Sequence, residues 1–390
     1  MRQSMKRRAF LQGLGAGVGF ATLGVPVFAR AGGSPKKLIV VILRGAMDGL
    51  HAVVPVGDPH YEQQRPQLAL THSDVEDALL PLDGMFALHP AGKELHSLYA
   101  QGEALLFHAV GQSYRDRSHF DSQVVLEEGS SRPHALKSGW LNRVLQVTDG
   151  EGLSVSSESL LILQGEGRAF NWQPEPKFAA KQSFQSRVLE MLEGDPAMAT
   201  ALAEGLRVRK MAQVNSMSPK GNALQQTLKG MAKLLLAPEG PAVAALDLGG
   251  WDTHSRQGRG SGRFARVFSE LSRGVATLRT ELGSLWRDTV VVCVTEFGRT
   301  VRPNGSGGTD HGTAAAAFLF GGGIRGGRVV ADWPGLADRD LYEGRDLRPT
   351  LDVVAVLKGV LHEHLRLTES QLAEVFPAHH AVAPQLGILS

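Results

Sequence analysis

The run Thr289-Val-Val-Val-Cys-Val-Thr295 constrains the fold more than any other stretch of this chain. It has no polar alternation, so as a strand it must be covered on both faces. Two further runs are of the same kind, Lys37-Leu-Ile-Val-Val-Ile-Leu43 and Ala242-Val-Ala-Ala-Leu-Asp-Leu248. Ala104 to Val110 and Ala314 to Phe320 read as two more strands, and helical patterns lie between them. Arg263 to Arg287 is the longest of these, with Phe264, Val267, Leu271, Val275, Leu278 and Leu282 on one face. Gly92 to Gln101 precedes the Ala104 strand, and Leu351 to Leu365 with Glu369 to Phe376 forms a closing helix pair. The expectation is a doubly wound α/β domain with a mostly parallel central sheet. Between Phe184 and Leu236 there is no strand signal, and a helical insert over about 184–236 is expected.

The N-terminal segment sets an expectation about compartment. Lys6-Arg-Arg-Ala-Phe-Leu11 is a twin-arginine pattern, followed by an apolar Gly/Ala-rich region to Phe28 and then Ala29-Arg30-Ala31. The apolar region is roughly 16 residues, too short to span a bilayer comfortably. Residues 1–31 therefore read as an export signal, and 32–390 as the mature domain. The expected consequences are a periplasmic or otherwise exported protein, a twin-arginine translocation machinery as partner, and no stable membrane span after cleavage. Of the 41 Lys and Arg, five (Arg2, Lys6, Arg7, Arg8, Arg30) lie in the signal, which has no acid. The remainder is 36 basic against 39 acidic, a net of −3, so the basic pI is no argument for nucleic-acid binding. The single cysteine, Cys293, excludes an intrachain disulfide and reads as an inert core thiol.

Three of the apolar strands run into turns that carry an acid. Asp48 follows the first, Asp252 the Ala242 strand and Glu296 the Thr289 strand. His254 stands two residues after Asp252, and the loop Gly308-Thr-Asp-His-Gly312 adds Asp310 and His311. In open α/β sheets, ligands collect at the carboxyl ends of the strands. Carboxylates and imidazoles gathered there suit bound divalent cations, or a proton shared between acids. In Gly111-Gln-Ser-Tyr-Arg-Asp-Arg-Ser-His-Phe120, Ser118 stands at a helix start. It reads either as an N-cap or as a nucleophile, with Arg117 as an anion clamp. Arg299 reads as an anion clamp or as a partner for Glu296. His51, His108 and His119 are expected to orient ligands from outside. His89, Trp140, Trp172 and Trp286 are expected to pack or shape loops, and His362 and His364 to be solvated. The Gly321 to Gly327 loop reads as a tight turn.

Six segments in this order resemble the DUF1501 family, exported proteins of the alkaline phosphatase/sulfatase superfamily. They are Leu43-Arg-Gly-Ala-Met-Asp-Gly-Leu50, Leu88-His-Pro90, Arg117-Ser-His-Phe120, Gly250-Trp-Asp-Thr-His254, Thr295-Glu-Phe-Gly-Arg-Thr300 and Gly308-Thr-Asp-His-Gly312. The resemblance implies a three-layer α/β/α sandwich, alkaline phosphatase-like, that transfers phosphoryl or sulfuryl groups with one or two divalent metal ions (Zn, Mn, Fe, Mg or Ca). It implies metal ligands at Asp48, Asp252, His254, Glu296 and His311, with Asp310 beside them in the late loop. Ser118 would be the nucleophile, and Arg117 and Arg299 the catalytic cations. Phe297 stands where the superfamily's Asp-His pair would supply a histidine. The expected activity is hydrolysis of a small anionic phosphate or sulfate ester by Ser118 or water. The alternative is an exported binding or scaffold protein that keeps the fold without turnover.

Overall fold

The computed structural model describes residues 36–71, 78–156, 158–174 and 222–390. The segment read as an export signal and most of the expected insert lie outside these residues; the insert's end, Ala223–Leu236, is a helix (α6). The chain order of the main elements begins with β1 (Lys37–Leu43), a one-turn helix α1 (Gly49–Ala52), β2 (Val53–Val54), α2 (Tyr61–Gln64), β3 (Leu80–Pro81) and β4 (Ala87–Leu88). It continues through α3 (Lys93–Ala100), β5 (Ala104–Gly111), α4 (His119–Glu128), α5 (Trp140–Thr148), β6 (Gly152–Val155) and β7 (Ala169–Trp172). After α6 come β8 (Val243–Leu248), α7 (Arg263–Leu282), β9 (Thr289–Val294), β10 (Ala315–Phe320), β11 (Arg328–Val330), β12 (Leu351–Asp352), α8 (Val353–Leu365) and α9 (Glu369–Val375).

The main sheet runs β11-β5-β10-β9-β1-β8-β6-β7, with β12 also pairing with β5. β10 is antiparallel to both its neighbours, and the other pairs are parallel. β1 and β9 lie in the middle, and every residue of both is buried. Alternate side chains divide between two cores. Ile39, Val41, Val291 and Cys293 face α3, α6 and α7. Leu38, Val40, Ile42, Val290, Val292 and Val294 face α5, α8 and α9. That division makes a three-layer α/β/α sandwich, and it explains why β1 and β9 carry no charged residue beyond Lys37 at the start of β1. Each such Val or Ile contributes on the order of 1.5–3 kcal/mol by leaving water.

All six apolar residues expected on one face of α7 are buried. The helix ends at Leu282, earlier than Arg287, because Gly283 takes φ +55° and a 3-10 turn follows over Gly283–Asp288. The alanines of β10 have a steric reason. α1 crosses this strand so closely that a Cβ on Gly49 would lie 2.5 Å from the Ala316 amide nitrogen. Cys293 is fully buried, and burial pushes its thiol pKa up, as expected of an inert core residue. One expectation is corrected. His364 is not solvated: it is buried, and its Nε2 lies 2.9 Å from the Lys37 carbonyl, against the start of β1. His362 is half-buried, with Nδ1 2.9 Å from the Leu367 carbonyl.

Candidate metal centre

The loops after β8 and β9 and the N-terminus of α4 meet at one edge of the sheet. Trp251 is fully buried against Phe264 and Phe268 of α7. This plug turns the following Asp252 outward, where its side chain is about half exposed (47%). Ser118 caps α4 by accepting from the Asp121 amide at 3.4 Å. His119 then becomes the first residue of the helix, its ring stacked on Phe297 at 4.9 Å. His311 packs on the same Phe297 at 5.1 Å and edge-on against His119 at 4.3 Å. Phe297 is therefore the apolar wall under two imidazoles, one from the start of α4 and one from the loop after β9.

Asp252 Oδ1 lies 3.6 Å from His119 Nε2, 3.7 Å from His311 Nε2 and 3.1 Å from His254 Nε2. His254 Nε2 and His311 Nε2 are 2.9 Å apart. His119, Asp252 and His311 form the one group able to hold a metal ion among the described residues. The opposite nitrogen of each imidazole is held from outside. His119 Nδ1 is 2.8 Å from Glu296 Oε1, His254 Nδ1 3.1 Å from Asp310 Oδ1, and His311 Nδ1 2.9 Å from the Arg117 carbonyl.

These partners assign the tautomers. A carboxylate or a carbonyl only accepts, so in neutral rings the hydrogens of His119 and His311 sit on Nδ1 and their Nε2 lone pairs face inward, whereas His254 has a carboxylate 3.1 Å from each nitrogen and presents a lone pair at Nε2 when its hydrogen is on the Asp310 side. Three imidazole Nε2 atoms and one carboxylate oxygen, which also accepts from Arg299, thus converge on one space, and His119 Nε2 is buried without a hydrogen-bond partner. The 2.9 Å between His254 Nε2 and His311 Nε2 is satisfied either by a hydrogen on one of the two nitrogens or by a cation between them. The donors fit a cation. Ligands about 2.0–2.1 Å from a tetrahedral ion lie about 3.4 Å from each other, and the separations here bracket that value.

The expected site residues thus divide. Asp252, His254 and His311 are together, joined by His119, which was expected only to orient ligands. Glu296 and Asp310 do not face the centre as ligands; each holds an imidazole from behind, an arrangement common around metal-bound histidines. Glu296 Oε1 also accepts from the Gly45 amide at 2.8 Å and the Gln123 amide at 3.0 Å. Burial pushes the Glu296 carboxyl up, but the hydrogen bonds from His119, Gln123 and Gly45 outweigh it and hold it below its ordinary value. Asp310 is lowered first by the Asn304 amide and then by His254. For Asp252, partial burial is outweighed by Arg299 and the result is again a lowered carboxyl.

Asp48 lies outside the cluster. It is 1% exposed, and its Oδ2 accepts from Arg65 at 2.9 Å and Gln257 at 2.7 Å. Burial pushes it up and Arg65 more than compensates, leaving it ionised inside the fold. Neither expected clamp is free. The Arg299 guanidinium bonds Asp252 and the carbonyls of Gly45, Ala46, Trp251 and Thr309, so it straps the Asp252 loop to the turn after β1. It pairs with Asp252 rather than with Glu296. Arg117 is held by Glu343 at 2.6 Å and by Asp346 at 2.9 Å. Its φ of +57° aims the carbonyl that His311 uses. His51 and His108 orient nothing in the cluster; their Nε2 atoms meet the Arg259 and Val53 carbonyls at 3.0 and 2.9 Å. His89, Trp140, Trp172 and Trp286 are buried packing residues.

Glu296→Gln keeps the shape of this shell but removes the charge behind His119. Zinc affinity, measured by competition with a chelator, should fall by about 10–100-fold with the fold retained. Unchanged affinity would show that Glu296 does not support the ring.

Among the described residues no helix is long and apolar enough to cross a membrane. Among solved structures, the chain is similar to the C-terminal periplasmic domain of EcEptC from Escherichia coli in complex with Zn, at 11% identity, covering 74% of this chain and 73% of that one, with a TM-score of 0.37. It is similar to the phosphonate monoester hydrolase of Agrobacterium radiobacter at 11% identity, covering 76% and 70%, with a TM-score of 0.35. It is also similar to the alkaline phosphatase of the Antarctic bacterium TAB5 at 11% identity, covering 75% and 93%, with a TM-score of 0.35. No curated protein matches the chain. The model of the family described as "Protein of unknown function (DUF1501)" matches residues 35–376, and the chain belongs to that family.

Proposed function

We propose that this chain is an exported hydrolase of phosphate or sulfate esters that works with one divalent cation. The observation that carries the reading is the convergence of three imidazole Nε2 atoms and Asp252 Oδ1, each ring held at Nδ1 by an outer acceptor. His119, Asp252 and His311 would hold the ion, with His254 as the fourth donor. An imidazole-rich set with one carboxylate suits Zn, then Mn or Fe, better than Mg or Ca, which prefer oxygen. A bound cation supplies Lewis-acid charge against the negative charge that develops on the ester oxygens.

The chain's own residues do the rest. Glu296, Asp310 and the Arg117 carbonyl keep the hydrogens on Nδ1. Asp252 and His254 are the most open members, at 47% and 43% side-chain exposure, so a small anionic ester would enter from their side. Ser118 lies between the residue that holds His311 and the ligand His119. Its hydroxyl hydrogen is committed to no acceptor among the described residues, which suits a nucleophile. Export through the twin-arginine translocation machinery is part of the same proposal, as is the absence of a nucleic-acid partner. It rests on the Lys6 to Ala31 pattern.

A second reading has its own observation in favour. Arg299 is buried and bonded through all three nitrogens, and Arg117 is paired with Glu343 and Asp346, so neither stands unpaired to clamp an anion, as a cation-bound scaffold without turnover would allow. Metal analysis of the purified protein, with rates on p-nitrophenyl phosphate and p-nitrophenyl sulfate, separates the readings. The hydrolase reading expects bound metal, turnover, and loss of turnover with metal retained in Ser118→Ala. Bound metal without turnover on a broad ester panel supports the scaffold. A protein that holds no cation and gains no thermal stability from Zn or Mn sinks both.

A further inference from the structure

Behind the cluster lies a second layer of polar groups that contacts none of the converging atoms. Gln257, Thr253 and Thr309 are each 0% exposed, and Asp48 is 1%. The Gln257 Oε1 accepts the Thr253 hydroxyl at 2.9 Å and the Thr309 hydroxyl at 2.9 Å. Its Nε2 donates to Asp48 Oδ2 at 2.7 Å, so the amide has one possible orientation. Asp48 is in turn held by Arg65, which also donates to the Thr300 carbonyl at 3.0 Å and the Val301 carbonyl at 2.7 Å.

We infer that Gln257 is a positioning residue for the metal centre, setting the distance between its two histidine loops through Thr253 and Thr309. The inference rests on the metal reading above. Thr253 lies between Asp252 and His254, and Thr309 lies two residues before His311 and next to Asp310, the partner of His254. One amide oxygen therefore clamps both loops at the level of their ligands. The loops also touch directly. The Thr309 amide donates to the Thr253 carbonyl at 3.1 Å, and a Cβ on Gly308 would fall 2.2 Å from that carbonyl.

Two buried hydroxyls that lose their common acceptor must find another, and a buried unpaired donor is costly. The cheapest escape is for one loop to move, which would change the His254 Nε2 to His311 Nε2 separation of 2.9 Å. Metal affinity is sensitive to that displacement, since ligand distances hold to about ±0.2 Å. The ionised Asp48 has its role here, as the buried anchor of the amide.

The test uses the full mature chain and two readouts. Zinc affinity is measured by chelator competition, and the ring nitrogens of His254 and His311 are followed by NMR in the metal-free protein. Gln257→Leu is expected to weaken zinc by about 10–100-fold and shift both ring signals, leaving those of His364 in place. Thr309→Val should act in the same direction and Thr309→Ser should restore the wild-type values, which keeps the test open if Gln257→Leu does not fold. Reduced urea stability with zinc affinity and both ring signals unchanged would mean a merely structural amide, and would overturn the inference. If the wild-type protein binds no zinc, the metal reading fails, while the ring signals still decide whether Gln257 sets the spacing of the loops.

Discussion

Alanine in place of His119 removes zinc binding from the folded protein, by more than the roughly 10–100-fold expected for an outer partner. The variant should go from about one equivalent of bound metal to none. In the proposed centre the imidazole is the ligand that the helix start contributes, and Glu296 keeps other donors when it is gone: the Gly45 amide, Gln123 and the Thr295 hydroxyl. The fold should therefore survive. Asp252→Ala should have the same effect on binding. It also strips the fully buried Arg299 guanidinium of its carboxylate, leaving four backbone carbonyls, so a loss of stability accompanies it and Asp252→Asn, which keeps an acceptor for Arg299, is the cleaner variant. Metal content and zinc titration check both variants. A His119→Ala protein that holds one equivalent as tightly as the wild type would refute the centre as drawn.

Acidification should destabilise the metal-free protein well above the range where its carboxylates titrate. Burial holds the His51 pKa down to about 3, and those of His108 and His364 down to about 4, against 6.5 when unfolded. Below 6.5 the unfolded chain takes up protons that the folded chain refuses, so stability falls as pH drops from about 6.5 towards 4. Each imidazole contributes a slope of up to about 1.4 kcal/mol per pH unit, and the three together about 4. Asp48 adds a loss of opposite origin. Its folded value is lowered, so its contribution is complete above 3.8 and disappears only below that. Urea midpoints measured in a chelator from neutral pH down to about 4.5 test this. His108→Gln, which can reproduce the bonds to the Val53 carbonyl and the Ala109 amide, should reduce the slope by up to about 1.4 kcal/mol per pH unit. A midpoint that stays flat across this window would refute the assignment.

Much of the scaffold was legible because burial on both faces leaves a direct mark. A strand in the middle of the sheet has no polar side to display, and the Lys37, Ala242 and Thr289 runs show none. The direction of β10 was not legible, since an alanine-rich run reads the same in either orientation. At the centre, Asp252, His254 and His311 stood out because they follow strands in Gly-rich turns. His119 did not. It follows a capping serine at the start of a helix, and nothing local distinguishes a ligand there from a solvated histidine. The usable signal was its place in Arg117-Ser-His-Phe120, at the carboxyl end of β5, on the same edge as the other strand ends.

The carboxylates mark the boundary more sharply. Asp48, Asp252, Glu296 and Asp310 look alike in sequence, each an acid in a turn beside histidines or glycines. Asp48 is claimed by Arg65, Glu296 by His119, and Asp310 by His254, while Asp252 alone turns an oxygen towards three imidazoles. The sequence by itself determined the layered α/β framework, the strand edge on which chemistry collects and the residue types found there. Those follow from hydrophobic periodicity and turn composition, which act over a few residues. Only the tertiary structure decided which groups converge on one space and which hold them from behind. That depends on side-chain directions and partners from distant segments, 254 residues apart for Gly45 and Arg299.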